Sequence, residues 1–295
     1  MSTGRISVIG LGGMGKSMAS RLLDTGHEIT VYNRTAERAD DLVARGARFA
    51  NSPREAVEPG GIVLSSLAND SAVEAVSFGD AGIIAALKGG VHLSTSTISP
   101  TFAARLAERH RSAGADYVGS PVFGRPPAAA SGKLWIAISG SAAGKERVRP
   151  ILAALGQGIV DFGDKPEAAN VVKVAGNFMI ASAIETMSEA FALVAKHGIE
   201  ERQFYDLFSQ SLFACRIFQG YGQSIVDREF EPAGFRLELG AKDVGLALQA
   251  GGEAKVPMPI ASVLRDRFLN ALAKGRGDSD WSAIALSAFE DAAVP

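Results

Sequence analysis

Short apolar runs separated by amphipathic stretches organise the first half of the chain. Ile6–Ile9, Ile29–Tyr32, Ile62–Ser66, Val91–Leu93, Asp116–Val118, Leu134–Ile138 and Ile159–Asp161 are apolar runs of strand length. Between them, stretches such as Thr35–Arg45 and Pro100–Ser112 carry helical periodicity. Strands alternating with helices predict βαβ units and a parallel sheet. Several runs are apolar at nearly every position, as expected where both faces of the sheet are covered.

The pattern changes after Phe162. Gly163-Asp164-Lys165-Pro166 is a breaker cluster. Helical periodicity then runs from Pro166 to His197, with proline at its start and Gly198 just past its end. Glu200–Leu212, Arg236–Ala250 and Pro259–Lys274 are further helical stretches, with no strand-like alternation among them. The expected architecture is an α/β domain over residues 1–163 and an all-α domain over residues 164–295. The long helix has two apolar stripes, one marked by Val171, Val174, Phe178, Ala181 and Glu185, the other by Met179, Ala183, Met187 and Phe191. A helix with two such stripes has to be covered on two sides. That predicts a homodimer; the alternative is a monomer whose own helices wrap it.

Chemistry enters at the first strand. Ile6–Ile9 leads into Gly10-Leu11-Gly12-Gly13-Met14-Gly15, then a helical run to Thr25 and Gly26, then the strand Ile29–Tyr32. A GxGxxG between a strand and a helix is the fingerprint of a dinucleotide-binding Rossmann domain. Gly10 permits the tight turn, Gly12 lets the backbone approach a pyrophosphate, and Gly15 lets the helix pack close to the strand. The helix N-terminus then offers free amides to the phosphates. After the second strand, an NAD site usually carries Asp or Glu to accept from the ribose 2′-hydroxyl. Here the residues are Asn33-Arg34-Thr35. No carboxylate repels a 2′-phosphate, Arg34 can pair with it, and Asn33 and Thr35 can donate to it. The predicted cofactor is NADP.

Composition narrows the partners. A net charge of −2 gives no broad basic footprint, which argues against nucleic acid. The N-terminal apolar run breaks at Gly10, too soon for a signal peptide, and no other run approaches the roughly 20 residues of a membrane span. A cytoplasmic protein is expected. The single cysteine, Cys215, forms no internal disulfide and, among Phe213, Ile217 and Phe218, reads as a packed small hydrophobe. His27, His92, His110 and His197 lack metal-ligand spacing, so no metal is expected, and His197 reads as a cation at a helix C-terminus. Trp135 and Trp281 read as core or interface residues.

Four blocks together carry a resemblance: GLGGMG with NRT, STISP at 96–100, NVVKVAGNF at 170–178 and AKDVGLAL at 241–248. The chain resembles the β-hydroxyacid dehydrogenase family, which includes 3-hydroxyisobutyrate dehydrogenase and the glyoxylate/succinic semialdehyde reductases, with imine reductases as more distant relatives. The resemblance spans nearly the whole chain. It implies that Ser96 and Thr97 lie beside the nicotinamide, that Leu67 and Ala68 lie along the cofactor, and that Lys242 reaches it from the helical domain. It also implies that Lys173 is the catalytic lysine and Asn177 its substrate-binding neighbour. The residues themselves put Lys173 and Asn177 four apart, on one helix face. By spacing alone Lys173 also reads as a solvated helix lysine. Held among apolar neighbours instead, it could pass a proton to a carbonyl oxygen as hydride arrives.

Departures from the family cluster where the substrate would bind. Many members read Pro-Val-Ser-Gly-Gly, and that serine and the glycines help hold a substrate carboxylate; this chain has Pro121-Val122-Phe123-Gly124-Arg125. Phe123 cannot donate a hydrogen bond, whereas Arg125 could bind a carboxylate or point to solvent. The usual aspartate before STISP is Ser94, and a glycine pair before the lysine is replaced around Glu167–Ala169. The expected activity is reduction of a small aldehyde or oxo acid. Reduction of an imine or a bulkier apolar carbonyl is the alternative, and a non-catalytic NADP-binding module the third reading.

Overall fold

A computed structural model describes residues 5–294. Met1–Gly4, on which part of the N-terminal reading rests, and Pro295 lie outside the described residues. Two compact units are present, one ending at Lys173 and the other beginning at Val174, so the division falls inside the long helix Ala168–Lys196.

The first unit contains β1 (Ile6–Ile9), β2 (Ile29–Tyr32), β3 (Arg48–Phe49), β4 (Ile62–Ser65), β5 (Val91–Ser94), β6 (Asp116–Gly119), β7 (Val122–Phe123), β8 (Leu134–Gly140) and β9 (Gly156–Asp161). The order β3-β2-β1-β4-β5-β6 is parallel throughout, the Rossmann arrangement with the first strand central. Beyond β6 the sheet departs from the all-parallel expectation. β8 runs antiparallel to β6 and to β7, and β9 returns parallel to β8. The connection from Phe123 to Leu134 holds only the one-turn helix Pro126–Ala130, too little for a parallel crossover, so β7 and β8 pair as a hairpin does. β3 and β7 are two residues each, too short to show a period.

The sheet's core is formed by Ile6, Val8, Val31, Leu64, Leu93 and Ile136, all essentially inaccessible. Against it the helix Gly13–Asp24 buries Met18, Ala19 and Leu22, which recur at helical spacing. Met18 and Leu22 each contribute about 1.5–3 kcal/mol by leaving water, and the Ala19 methyl less.

Two of the four scattered histidines meet inside this unit. His92 on β5 and His110 on the helix Pro100–Ser112 are fully buried, and His92 Nδ1 lies 3.1 Å from His110 Nε2. One proton assignment satisfies the whole chain. Ser65 donates to His92 Nε2 (2.8 Å), His92 Nδ1 donates to His110 Nε2, and His110 Nδ1 donates to the Leu106 carbonyl (2.7 Å). Both rings are then neutral. Burial pushes His92 well down, with the neighbouring His110 adding to it, and burial pushes His110 from 6.5 to about 4. A depressed folded-state value means the neutral ring's contribution is complete above pH 6.5 and is lost as pH falls toward about 4. For His110 the loss is roughly 3 kcal/mol. Urea unfolding at stepped pH should show stability falling across that window, and His110→Gln should flatten the fall. An unchanged slope in that variant would contradict the neutral pair.

The second unit is all-helical. Beside the long helix it contains Glu201–Ser209, Arg216–Val226, Leu237–Glu253, Pro259–Ala273, a 3₁₀ turn at Trp281–Ile284 and the helix Ala285–Asp291. Arg216–Val226 was not expected, because Gly220 and Gly222 lower its helix propensity. Trp281 is a core residue, packed with Phe268, Leu264 and Ile284. Trp135, in contrast, is 51% exposed on β8.

Two sequence readings need correction, those of Cys215 and of the membrane-length run. Cys215 is exposed, not packed: it precedes the helix Arg216–Val226, and Phe213 stacks on Phe218 at 4.6 Å between ring centres without enclosing the thiol. The two stripes of the long helix are largely covered by this unit's own helices, since Ala181, Met187 and Phe191 are buried, whereas Met179 and Leu193 are 69% and 61% exposed. And one helix among the described residues, Ala168–Lys196, is long and apolar enough to cross a membrane by length and composition. The sequence conceals this because polar residues interrupt its apolar runs. Its Glu185 and Glu189 lie 2.6 and 3.8 Å from Arg267 of the helix Pro259–Ala273. An ion-paired face packed on a neighbouring helix is that of a core helix.

Candidate active site

The C-terminal ends of β1, β2, β4 and β5 gather the motif residues of the first unit. Gly10 leaves β1 with φ of 93°, a conformation that favours glycine, and donates its N–H to the Tyr32 carbonyl at 2.9 Å. A Cβ on Gly15 would collide with the Gly10 carbonyl oxygen, so the helix packs hard against the turn that feeds it. Gly12 precedes that helix without capping it through a side chain, the first turn holds no acidic residue, and a Cβ on Gly12 would have nothing within 4 Å. The first-turn amides therefore border an open cradle that suits a pyrophosphate. Around it Leu11 is buried, Met14 half-buried and Gly13 exposed.

Asn33 fastens this turn to the end of β2. Leu11 N–H donates to Asn33 Oδ1 (2.9 Å), and Asn33 Nδ2 donates to the Thr35 carbonyl (2.8 Å). Both ends of its amide engage backbone, through the oxygen and one N–H of Nδ2. Arg34 and Thr35 are exposed just beyond, and no acidic side chain among the described residues pairs with Arg34.

The loops after β4 and β5 are joined to each other. Thr95 N–H and Oγ1 both donate to the Ser65 carbonyl at 2.9 Å, and Leu67 N–H donates to Ser96 Oγ at 2.9 Å. Ser96 is thus a clasp between loops, 3% exposed. Thr97 and Leu67 are half-buried and Ala68 is exposed.

Lys173 is reached through β8. Ser139 on β8 donates to the Pro166 carbonyl (3.0 Å) and accepts from Ala169 N–H (2.9 Å), which ties the start of the long helix to that strand. One turn on, Lys173 is 9% exposed, and its Nζ lies 4.3 Å from the ring centre of Phe123, the last residue of β7. Gly124 and Arg125 follow, both exposed, with Arg125 immediately before the helix Pro126–Ala130.

In the second unit Asn177, one turn along the helix from Lys173, donates through Nδ2 to Asp243 Oδ2. Asp243 is 1% exposed and also pairs with Lys242 Nζ at 2.9 Å. No role was read for Asp243, although an acid next to a lysine inside the apolar block AKDVGLAL was a signal. A shallow concavity near Lys196, Glu201 and Arg202 contains none of these residues. Among the described residues, no cluster of His, Cys, Asp or Glu could hold a metal.

A profile of the NAD binding domain of 6-phosphogluconate dehydrogenase matches residues 5–172. A second, described as the NAD-binding of NADP-dependent 3-hydroxyisobutyrate dehydrogenase, matches residues 168–287. The chain belongs to the 3-hydroxyisobutyrate/β-hydroxyacid dehydrogenase family. Within the family it is 41% identical to an uncharacterized oxidoreductase, YfjR, of Bacillus subtilis (strain 168), over 95% of this chain and 98% of that protein. It is 32% identical to 2-hydroxy-3-oxopropionate reductase of Escherichia coli (strain K12), over 95% of each. The crystal structure of 3-hydroxyisobutyrate dehydrogenase from Salmonella typhimurium superposes with a TM-score of 0.85 at 27% identity, covering 96% of this chain and 99% of that one. Membership of the family makes this chain a β-hydroxyacid dehydrogenase-type oxidoreductase that uses a nicotinamide dinucleotide.

Proposed function

We propose that the protein is an NADPH-dependent reductase of a small aldehyde or oxo acid, running in reverse as a β-hydroxyacid dehydrogenase. The observation that carries this reading is the buried Lys173, with Asn177 one turn further along the same helix and tied to Asp243. The dinucleotide supplies the hydride when bound. Residues 1–163 hold it: the amides after Gly12 bind the pyrophosphate, Arg34 and Thr35 the 2′-phosphate, and Leu67, Ala68 and Thr97 line its path. Residues 164–295 supply Asn177 and Lys242. Lys173 donates its proton to the substrate oxygen, and Asn177, its amide oriented by Asp243, aligns that oxygen. Ser96 keeps its hydroxyl hydrogen for the substrate while its oxygen holds Leu67 N–H. Phe123, Gly124 and Arg125 form the substrate wall.

The aromatic face of Phe123 favours a second reading, reduction of an imine or a bulkier apolar carbonyl. A steady-state panel of semialdehydes, oxo acids and cyclic imines with NADPH decides between them. Turnover of the acids and semialdehydes alone supports the first reading. Turnover of the imines alone supports the second, and turnover of none removes both.

We also propose a cytoplasmic homodimer. Met179 and Leu193 on the long helix, with Leu207 and Leu212, remain exposed and need a cover. Light scattering should give twice the mass of the chain; a stable monomer at micromolar concentration would exclude the dimer.

A further inference from the structure

We propose that Phe123 is a positioning residue for Lys173, seating the ammonium group on the face of its ring. The proposal rests on the reading of Lys173 as proton donor. Three observations carry it. The Nζ lies 4.3 Å from the ring centre, inside the range over which a cation is drawn to an aromatic quadrupole. Lys173 is 9% exposed, so little water competes for the charge. Finally, both partners are referenced to one strand. β7 pairs with β8 at Phe123↔Trp135, and Ser139 on β8 fixes the start of the helix that carries Lys173. The backbones that carry the two side chains are therefore tied to the same strand.

A buried lysine tends to lose its proton, and a long flexible side chain tends to wander. An aromatic face opposes both. It stabilises the charged form, and it holds Nζ at one place without accepting its protons. Phe123 thus selects where the acid stands, although it cannot donate anything itself.

The test uses the full-length protein with Phe123 replaced by a series of ring-fluorinated phenylalanines, which keep the shape and progressively weaken the quadrupole. Two quantities are read: the rate at which a small acylating reagent labels Lys173, measured by mass spectrometry, and kcat for carbonyl reduction. Removing the attraction should raise the labelling rate by roughly two- to thirty-fold across the series, because more of the amine is uncharged. Phe123→Leu should match the most fluorinated ring, and Phe123→Trp should label like the wild type. Labelling that ignores fluorination would overturn the proposal. If labelling follows fluorination and kcat does not, Phe123 holds the ammonium but Lys173 is not the proton donor.

Discussion

Replacing Lys173 with alanine should lower kcat for carbonyl reduction by about 10²–10⁴-fold, the usual contribution of a general acid. Hydride addition builds negative charge on the substrate oxygen, and some group must protonate it. Ser96, Thr97 and Asn177 can donate hydrogen bonds but are poor acids. Lys242 is paired with Asp243 at 2.9 Å. That leaves Lys173, 9% exposed, as the proposed acid. NADPH affinity should change little, because the first unit's loops carry the dinucleotide contacts proposed above. The basic limb of the pH–rate profile should disappear with the lysine, since that limb would report its deprotonation. Wild-type kcat in Lys173→Ala, or activity lost only through lost NADPH binding, would end this mechanism.

Arg34→Ala should weaken NADPH binding by about 10- to 150-fold, the equivalent of one charge-assisted contact of about 1.5–3 kcal/mol. NADH binding should stay nearly constant, because NADH lacks the 2′-phosphate that Arg34 is proposed to pair with. Arg34 is exposed and without an acidic partner among the described residues, so its removal leaves no buried charge behind to blur the measurement. The readout is the dissociation constant of each dinucleotide, by fluorescence or calorimetry. Equal use of both dinucleotides by the wild type would show that the residues after β2 do not select the phosphate.

The central strands and the glycine turn could be read from the sequence because local demands fix them. Gly10 needs its positive φ and Gly15 its close approach wherever the chain is placed. The antiparallel insertion of β8 was not readable, since pairing direction depends on the length of a connection and not on the pattern within a strand. His92 and His110 looked unrelated because a strand and a helix bring them together. Asp243 was hidden for a similar reason: its partner Asn177 lies on another helix, and a single charge in an apolar block looks like a surface residue until its burial is known. Phe123 was noticed as a departure, but its proximity to Lys173 exists only after the sheet has formed.

Asn33 bears on how cofactor choice could be redesigned. Both ends of its amide are engaged, with Leu11 on one side and Thr35 on the other. An aspartate at this position would still accept from Leu11 N–H, but it would turn a second oxygen toward the Thr35 carbonyl, where a donor now stands. An attempt to create NADH selectivity by placing the acid at 33 would therefore loosen the turn that presents residue 34, and would change turn geometry and ligand preference together. Substitution at 34 alone separates the two, since its side chain is exposed and makes no hydrogen bond or ion pair among the described residues. The loop thus has one position that can vary with the ligand and a neighbour that has to stay constant for that variation to be tolerated.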